Sequence, residues 1–241
     1  MPSHPSRFAP AQLQPAGVDR VATLLAVAEL AAVCSACERC ELARSRQQVV
    51  VGRGNPAARL LVIGEAPGAE EDAQGQPFVG RAGRLLEQLL AEAGLDSHRD
   101  LYIVNMIKCR PPGNRKPSRT ELAACRPWLD QQIALIQPEL IVLLGATALE
   151  ALLGIKGGIT KLRGQWLQLD GSPLPVDQLQ REVNQNSLSP SRLSSITLMP
   201  LLHPSYLLRY PSECDGSPRW QTRADLRAVR QHLDRLTIAT A

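Results

Sequence analysis

The residues of this 241-residue chain whose types and spacing could do chemistry are a set of cysteines, three short loops and one histidine. Cys37 and Cys40 form a C-x-x-C pair, and Cys109 and Cys125 add two thiols from a distant part of the chain. Four thiolates gathered from two places is a metal-binding pattern, and thiolate number alone does not separate zinc from an iron–sulfur cluster. Cys34 stands one C-x-x-C step earlier and could substitute for a ligand, though it reads better as a spare buried thiol, while Cys214 lies in a Pro/Gly-rich loop without a visible partner. The run Gly64-Glu65-Ala66-Pro67-Gly68, followed by Ala69-Glu70-Glu71-Asp72, packs turn residues around carboxylates. Such a turn can hold backbone amides against a ligand, or simply end a strand with solvated acids. A little later, Gly75-Gln76-Pro77-Phe78-Val79-Gly80 sets one of only two Phe residues in a turn, as satellite core or as a face for stacking a flat base. Two more loops carry an amide, Asn105, and an imidazole, His203.

The elements that must position these groups are legible as apolar runs. Arg59–Gly64, Leu101–Ile107 and Leu140–Gly145 read as buried strands, with Ile196–Leu202 a weaker fourth. Helical spacing covers Val18–Val33, Ala82–Ala93, Ser118–Ile136, Ala146–Leu153 and Arg219–Leu236, and Ser118 with Glu121 makes a capping box. Strands alternating with helices give an α/β fold, a three-layer α/β/α sandwich around a mainly parallel four-stranded sheet. In such sheets ligands bind outside the carboxyl ends of the strands, so the loops at Glu65, Asn105 and His203 should meet in one crevice. Met1–Gly17 reads as a loose arm and residues 18–241 as one domain, with Asp170–Ser195 a surface insertion rich in Pro, Ser, Gln and Asn.

The net charge of +4 and hydrophobic fraction of 44% are ordinary for a globular chain. From Lys108 to Arg126, however, six basic residues face one acid, Glu121, a density that could neutralise phosphates or form a solvated face. The longest apolar stretch, Val21–Val33, holds Glu29 and is too short to span a bilayer. A reducing cytoplasm, with no membrane partner, is the expected setting, and there paired cysteines point to metal or redox chemistry.

Taken together, these motifs resemble the family 4 uracil-DNA glycosylases, the iron–sulfur branch of the uracil-DNA glycosylase superfamily. The resemblance rests on Gly-Glu-Ala-Pro-Gly with Glu71-Asp72, on Gly75 to Gly80, on Asn105 through Pro117 and on His203 to Arg209, in the family's order. It implies a 4Fe-4S cluster on Cys37, Cys40, Cys109 and Cys125, architectural in role, with zinc as the lesser alternative. It implies uracil-containing DNA as the partner and a monomeric enzyme. Phe78 would stack on the uracil, and Asn105 would read its Watson–Crick edge. His203 would donate to uracil O2, and Glu65 or Glu71 would guide the attacking water. Ala66 and Gly68 would line the pocket, and Asn114 would hold Glu65 by a hydrogen bond. Leu207, Leu208 and Arg209 would wedge into the vacated stack, with Arg115 and Lys116 at the phosphates.

Two rival readings compete with it. One is a non-catalytic iron–sulfur or zinc module that binds DNA or senses damage. The other is a zinc-stabilised nucleotide hydrolase, which lacks the Gly-Lys-Ser/Thr ending of a phosphate loop.

Overall fold

A computed structural model describes residues 19–168 and 196–239. The arm at Met1–Gly17 and the insertion at Asp170–Ser195 lie outside the described residues. The sheet has strands β1 (Arg53–Gly54), β2 (Leu60–Gly64), β3 (Leu101–Asn105), β4 (Leu140–Leu144), β5 (Leu167–Gln168) and β6 (Thr197–Leu201), ordered β1-β3-β2-β4-β6-β5. The helices are α1 (Arg20–Ser35), α2 (Ala69–Gln74), α3 (Arg81–Glu92), α4 (Arg119–Ile136), α5 (Ala146–Leu153), α6 (Ile159–Leu162), α7 (Pro204–Arg209) and α8 (Pro218–Ala239).

The four strands read from apolar runs, β3, β2, β4 and β6, are mutually parallel. The count of four is corrected to six: β1 and β5 pair antiparallel at the two edges. Each has two residues, too short to leave an apolar pattern.

Both faces of the sheet are covered, which is why its central strands are apolar throughout. Leu60 and Val62 face α3, α7 and α8 through Leu86, Leu89, Leu207, Leu226 and Val229. Leu61 and Ile63 point the other way, into a core with Val27 of α1 and Leu129 and Ile133 of α4. A third, smaller core joins α1, α4 and the segment after β3, and it contains Cys34, Cys109 and Cys125. The capping box of α4 is present: Ser118 Oγ accepts from the Glu121 amide at 3.2 Å, and the Ser118 amide donates to Glu121 at 2.8 Å.

The chain steps from β2 to β3 on one side and then returns to place β4 on the other. That reversal opens a crevice beyond the carboxyl end of β2. Gly64 pairs with Asn105 in register, so the last residues of β2 and β3 lie side by side at its mouth.

Candidate functional site: a base-sized crevice beside a cysteine cavity

A cavity of about 370 Å³ opens where the parallel strands end, within the usual size of small-ligand sites. Glu65, Ala66, Gly68 and Glu71 line it from the loop after β2. Phe78 follows from the next turn, Asn105 and Asn114 from the segment after β3, and His203 from the end of β6. The three loops singled out in the sequence therefore do share one crevice.

Asn105 is 1% exposed, and its Oδ1 is a buried acceptor without a partner among the described residues. Such an orphan costs about 1–3 kcal/mol and implies a ligand or water that supplies the missing donor. Phe78 adopts φ 56°, rare for a non-glycine residue, and is held there by its surroundings. Arg53 supplies part of that hold. Its Nε donates to the Pro77 carbonyl at 2.7 Å and its Nη1 to Ser97 Oγ at 3.0 Å, while Nη2 pairs with Glu87. Gly64 lets the ring and the amide approach: a Cβ there would stand 2.5 Å from both Asn105 Oδ1 and Phe78 Cζ.

His203 caps the first turn of α7, its Nδ1 accepting from the Ser205 amide at 3.1 Å, with Ser205 Oγ at 2.8 Å. An acceptor at Nδ1 assigns the ring proton to Nε2. Burial, with the Arg209 charge adding to it, pushes the imidazolium down to about 4, so the ring is neutral near neutral pH. Its centroid lies 5.9 Å from that of Phe78. Gly145, at φ 91°, clears the space behind it, since a Cβ there would meet His203 Cβ at 2.9 Å.

The two carboxylates differ. Glu71 accepts from three backbone amides, those of Gly68 at 3.1 Å, Val79 at 3.0 Å and Gly80 at 2.8 Å. It clamps the Glu65 turn to the Phe78 turn, and three of its roughly four acceptor sites serve that task. This occupancy distinguishes it from Glu65 as a candidate to guide water. Glu65 lines both this cavity and a neighbouring one of about 270 Å³, and its carboxylate has no hydrogen-bond partner among the described residues.

Three expectations are corrected. Asn114 lines the crevice and its Oδ1 accepts from Arg110 Nε at 2.7 Å, but no bond from its Nδ2 to the Glu65 carboxylate is found among the described residues. Leu207 is 0% exposed and belongs to the core under α7, so it cannot be a wedge. What the α7 segment presents to solvent is Arg209 and Tyr210, with Leu208 half-buried. Tyr210 is 51% exposed and stacks on Tyr206 with centroids 4.6 Å apart, a feature the sequence reading missed. Lys108, counted among the basic residues of a phosphate-facing run, is 1% exposed and unavailable to phosphate. Arg115 forms a two-toothed pair with Glu121, at 2.8 and 2.6 Å, that pushes the carboxyl down to about 2. Lys116 reaches Glu150 at 3.1 Å and is exposed.

A second cavity is lined by Cys34, Cys37, Cys40, Cys109 and Cys125. All six cysteines are free thiols. Three N–H groups point at sulfur: Trp128 Nε1 to Cys37 at 3.2 Å, the Lys108 amide to Cys125 at 3.3 Å, and Arg46 Nη1 to Cys109 at 3.5 Å. Among the described residues no group of three or more His, Cys, Asp or Glu side chains is drawn together as a single ion would require. N–H donors of this kind stabilise bound thiolate sulfur. Burial pushes the Cys34 thiol up to about 12 and Cys109 to about 11.

Among the described residues no helix is long and apolar enough to cross a membrane. Residues 51–232 match the profile of the Uracil DNA glycosylase superfamily. A type-4 uracil-DNA glycosylase of Thermotoga maritima is 45% identical over 174 residues, 72% of this chain and 78% of that protein. One of Sulfurisphaera tokodaii is also 45% identical, over 54% of this chain and 60% of that protein. A type-5 uracil-DNA glycosylase of Thermus thermophilus is 41% identical over 43% of this chain and 53% of that protein. With the crevice, the cysteine cavity and these likenesses together, the chain belongs to the uracil DNA glycosylase superfamily, in its type-4 group.

Proposed function

We propose that the chain is a DNA repair enzyme that flips uracil out of DNA and hydrolyses its N-glycosidic bond, leaving free uracil and an abasic site. The observation that carries the reading is the buried, unpaired Oδ1 of Asn105 beside Phe78 and the Nε2–H of His203. A fixed side-chain amide accepts from uracil N3–H and donates to O4. Cytosine offers a lone pair and a donor at those two places, so the wrong base leaves buried polar groups unpaired, the strong form of discrimination.

A base inside a duplex is out of reach, and extruding it costs a few kcal/mol. Phe78 offers the flipped ring a stacking face. Arg209, which lines the neighbouring cavity with Glu65 and His203, and the exposed Tyr210 beside it would support the vacated stack. As the glycosidic bond breaks, positive charge grows on the sugar and negative charge on the uracil. The neutral His203 aims Nε2–H at that anion, a preset dipole that needs no proton transfer. Glu65, without an internal partner, is the group left to orient water onto the sugar carbon. Glu71 holds the two turns that carry Ala66, Gly68 and Phe78.

Cys37, Cys40, Cys109 and Cys125 would hold a 4Fe-4S cluster, and when bound it supplies a covalent tie between the C-x-x-C segment and the loop that continues from Asn105. Hydrolysis needs no electron transfer from it.

Incubation of the purified protein with an oligonucleotide carrying one uracil, followed by alkali, tests the reading. Strand scission at the uracil supports it. An intact strand across a range of salt concentrations returns the chain to the DNA-binding module.

A further inference from the structure

Among the described residues Lys108 is the one buried lysine, and it lies between the segment of Asn105 and the cysteine cavity. It is 1% exposed, and its Nζ donates to the Asn105 backbone carbonyl at 2.7 Å. On its other side it lines the cysteine cavity, and burial pushes its ammonium down to about 8, with Cys125 and Cys34 acting the other way. Its own backbone is fixed twice more: the amide donates to Cys125 Sγ at 3.3 Å, and the carbonyl accepts from the Val50 amide at 2.8 Å. The residue before it belongs to both regions, since Ile107 donates to the Glu65 carbonyl at 3.3 Å and packs in the cysteine core.

An unpaired ammonium at this depth is costly, and a carbonyl alone offsets little of that cost. Four thiolates holding a cluster would provide the missing negative charge. We propose that Lys108 is a positioning residue for base reading, an ammonium charge-matched by the cluster and braced against the Asn105 carbonyl, so that the cluster fixes where the base-reading amide stands. The proposal rests on the reading of Asn105 as the uracil reader. It explains why a hydrolase would place a cluster so close to the base it excises.

The test uses full-length, iron-loaded protein and two substitutions, Lys108→Met, which removes charge and donors, and Lys108→Arg, which keeps both. Iron per chain, cluster reduction potential, DNA affinity and single-turnover excision are measured on each. A neighbouring cation favours the more reduced cluster, so Lys108→Met should shift the potential to a more negative value. Its single-turnover rate should fall about tenfold or more, on the scale of outer-shell partners of metal sites, with DNA affinity within about twofold. Lys108→Arg should return the potential toward the wild type and recover part of the rate. Loss of iron from the Met variant alone also supports the proposal. An iron-replete Lys108→Met with wild-type potential and rate overturns it, and so does unfolding of both variants by circular dichroism, which would make Lys108 a packing residue. If the wild type itself excises no uracil, the proposed function fails, while the potential comparison still tests the link between Lys108 and the cluster.

Discussion

The base crevice and the cysteine cavity lie on either side of the segment from Asn105 to Cys109, and they are built on opposite terms. In the crevice polar groups are left unsatisfied: Asn105 Oδ1 is buried without a partner, and the Glu65 carboxylate has none among the described residues. In the cysteine cavity the donors are already aimed, with Trp128, Arg46 and the Lys108 amide each directed at a sulfur. An unsatisfied group selects a transient ligand, because the right base relieves it and the wrong one does not. A ring of donors around buried thiols suits a resident group whose charge they share. On the proposed reading the two regions divide recognition from architecture, with Lys108 bonded to the Asn105 carbonyl on one side and lining the cysteine cavity on the other.

The largest effect that sharpens this division is expected at His203. His203→Ala should slow single-turnover excision by about 10²–10³-fold, the scale of losing one preset donor to a developing anion. Iron content should not move. A parallel loss of iron would mean that the two regions are not separable in this way.

Asn105→Asp should act on selectivity. It removes the donor to O4, so the preference for uracil over cytosine should fall by about 1–3 kcal/mol, read as the ratio of single-turnover rates on matched oligonucleotides. An unchanged ratio would place base reading elsewhere.

Glu71→Gln should be milder in rate and visible in stability. An amide cannot accept from three N–H groups, so the clamp between the Glu65 and Phe78 turns loosens, lowering unfolding free energy by about 1–3 kcal/mol in urea titration. Excision should persist, reduced by about tenfold. Complete loss with a wild-type fold would restore Glu71 as a water-guiding group.

On the excision rate near neutral pH, the smallest effect is that of pH itself. His203 and His232 are both pushed by burial to about 4, from the ordinary 6.5. The unfolded chain therefore takes up these protons first as pH falls. Stability from the two neutral rings is complete above about 6.5 and is lost on descending toward 4. Thermal melting should decline across that window. Excision attributable to His203 should be flat from about pH 6 to 8, and a rate that falls as pH rises through about 6.5 would mean that the imidazolium is the working form.

Much of this was legible before any coordinates, and the gaps have physical causes. Apolar runs and the Ser118 capping box mark their elements because burial on both sheet faces and helix capping impose strict residue types. Gathering Glu65, Asn105 and His203 followed from strand ends converging in a parallel sheet. Glu65 and Glu71 could not be told apart, since the same side chain becomes a clamp or a free carboxylate only through the path of the intervening turn. Lys108 heads a run of basic residues in sequence, and nothing local announces that the others reach solvent while it points inward. Leu207 failed for a related reason: in a six-residue helix, the face turned to the core is set by packing against α3 and not by adjacency to His203.

The most direct measurement is mass-spectrometric detection of the base released from a duplex holding a single uracil and, in parallel, from one holding cytosine at the same place. Free uracil with an equal amount of abasic site in an unbroken strand, and no cytosine, is the result that follows from an unsatisfied amide and a neutral imidazole meeting at the ends of β3 and β6. Binding of the uracil duplex without any base release would contradict it.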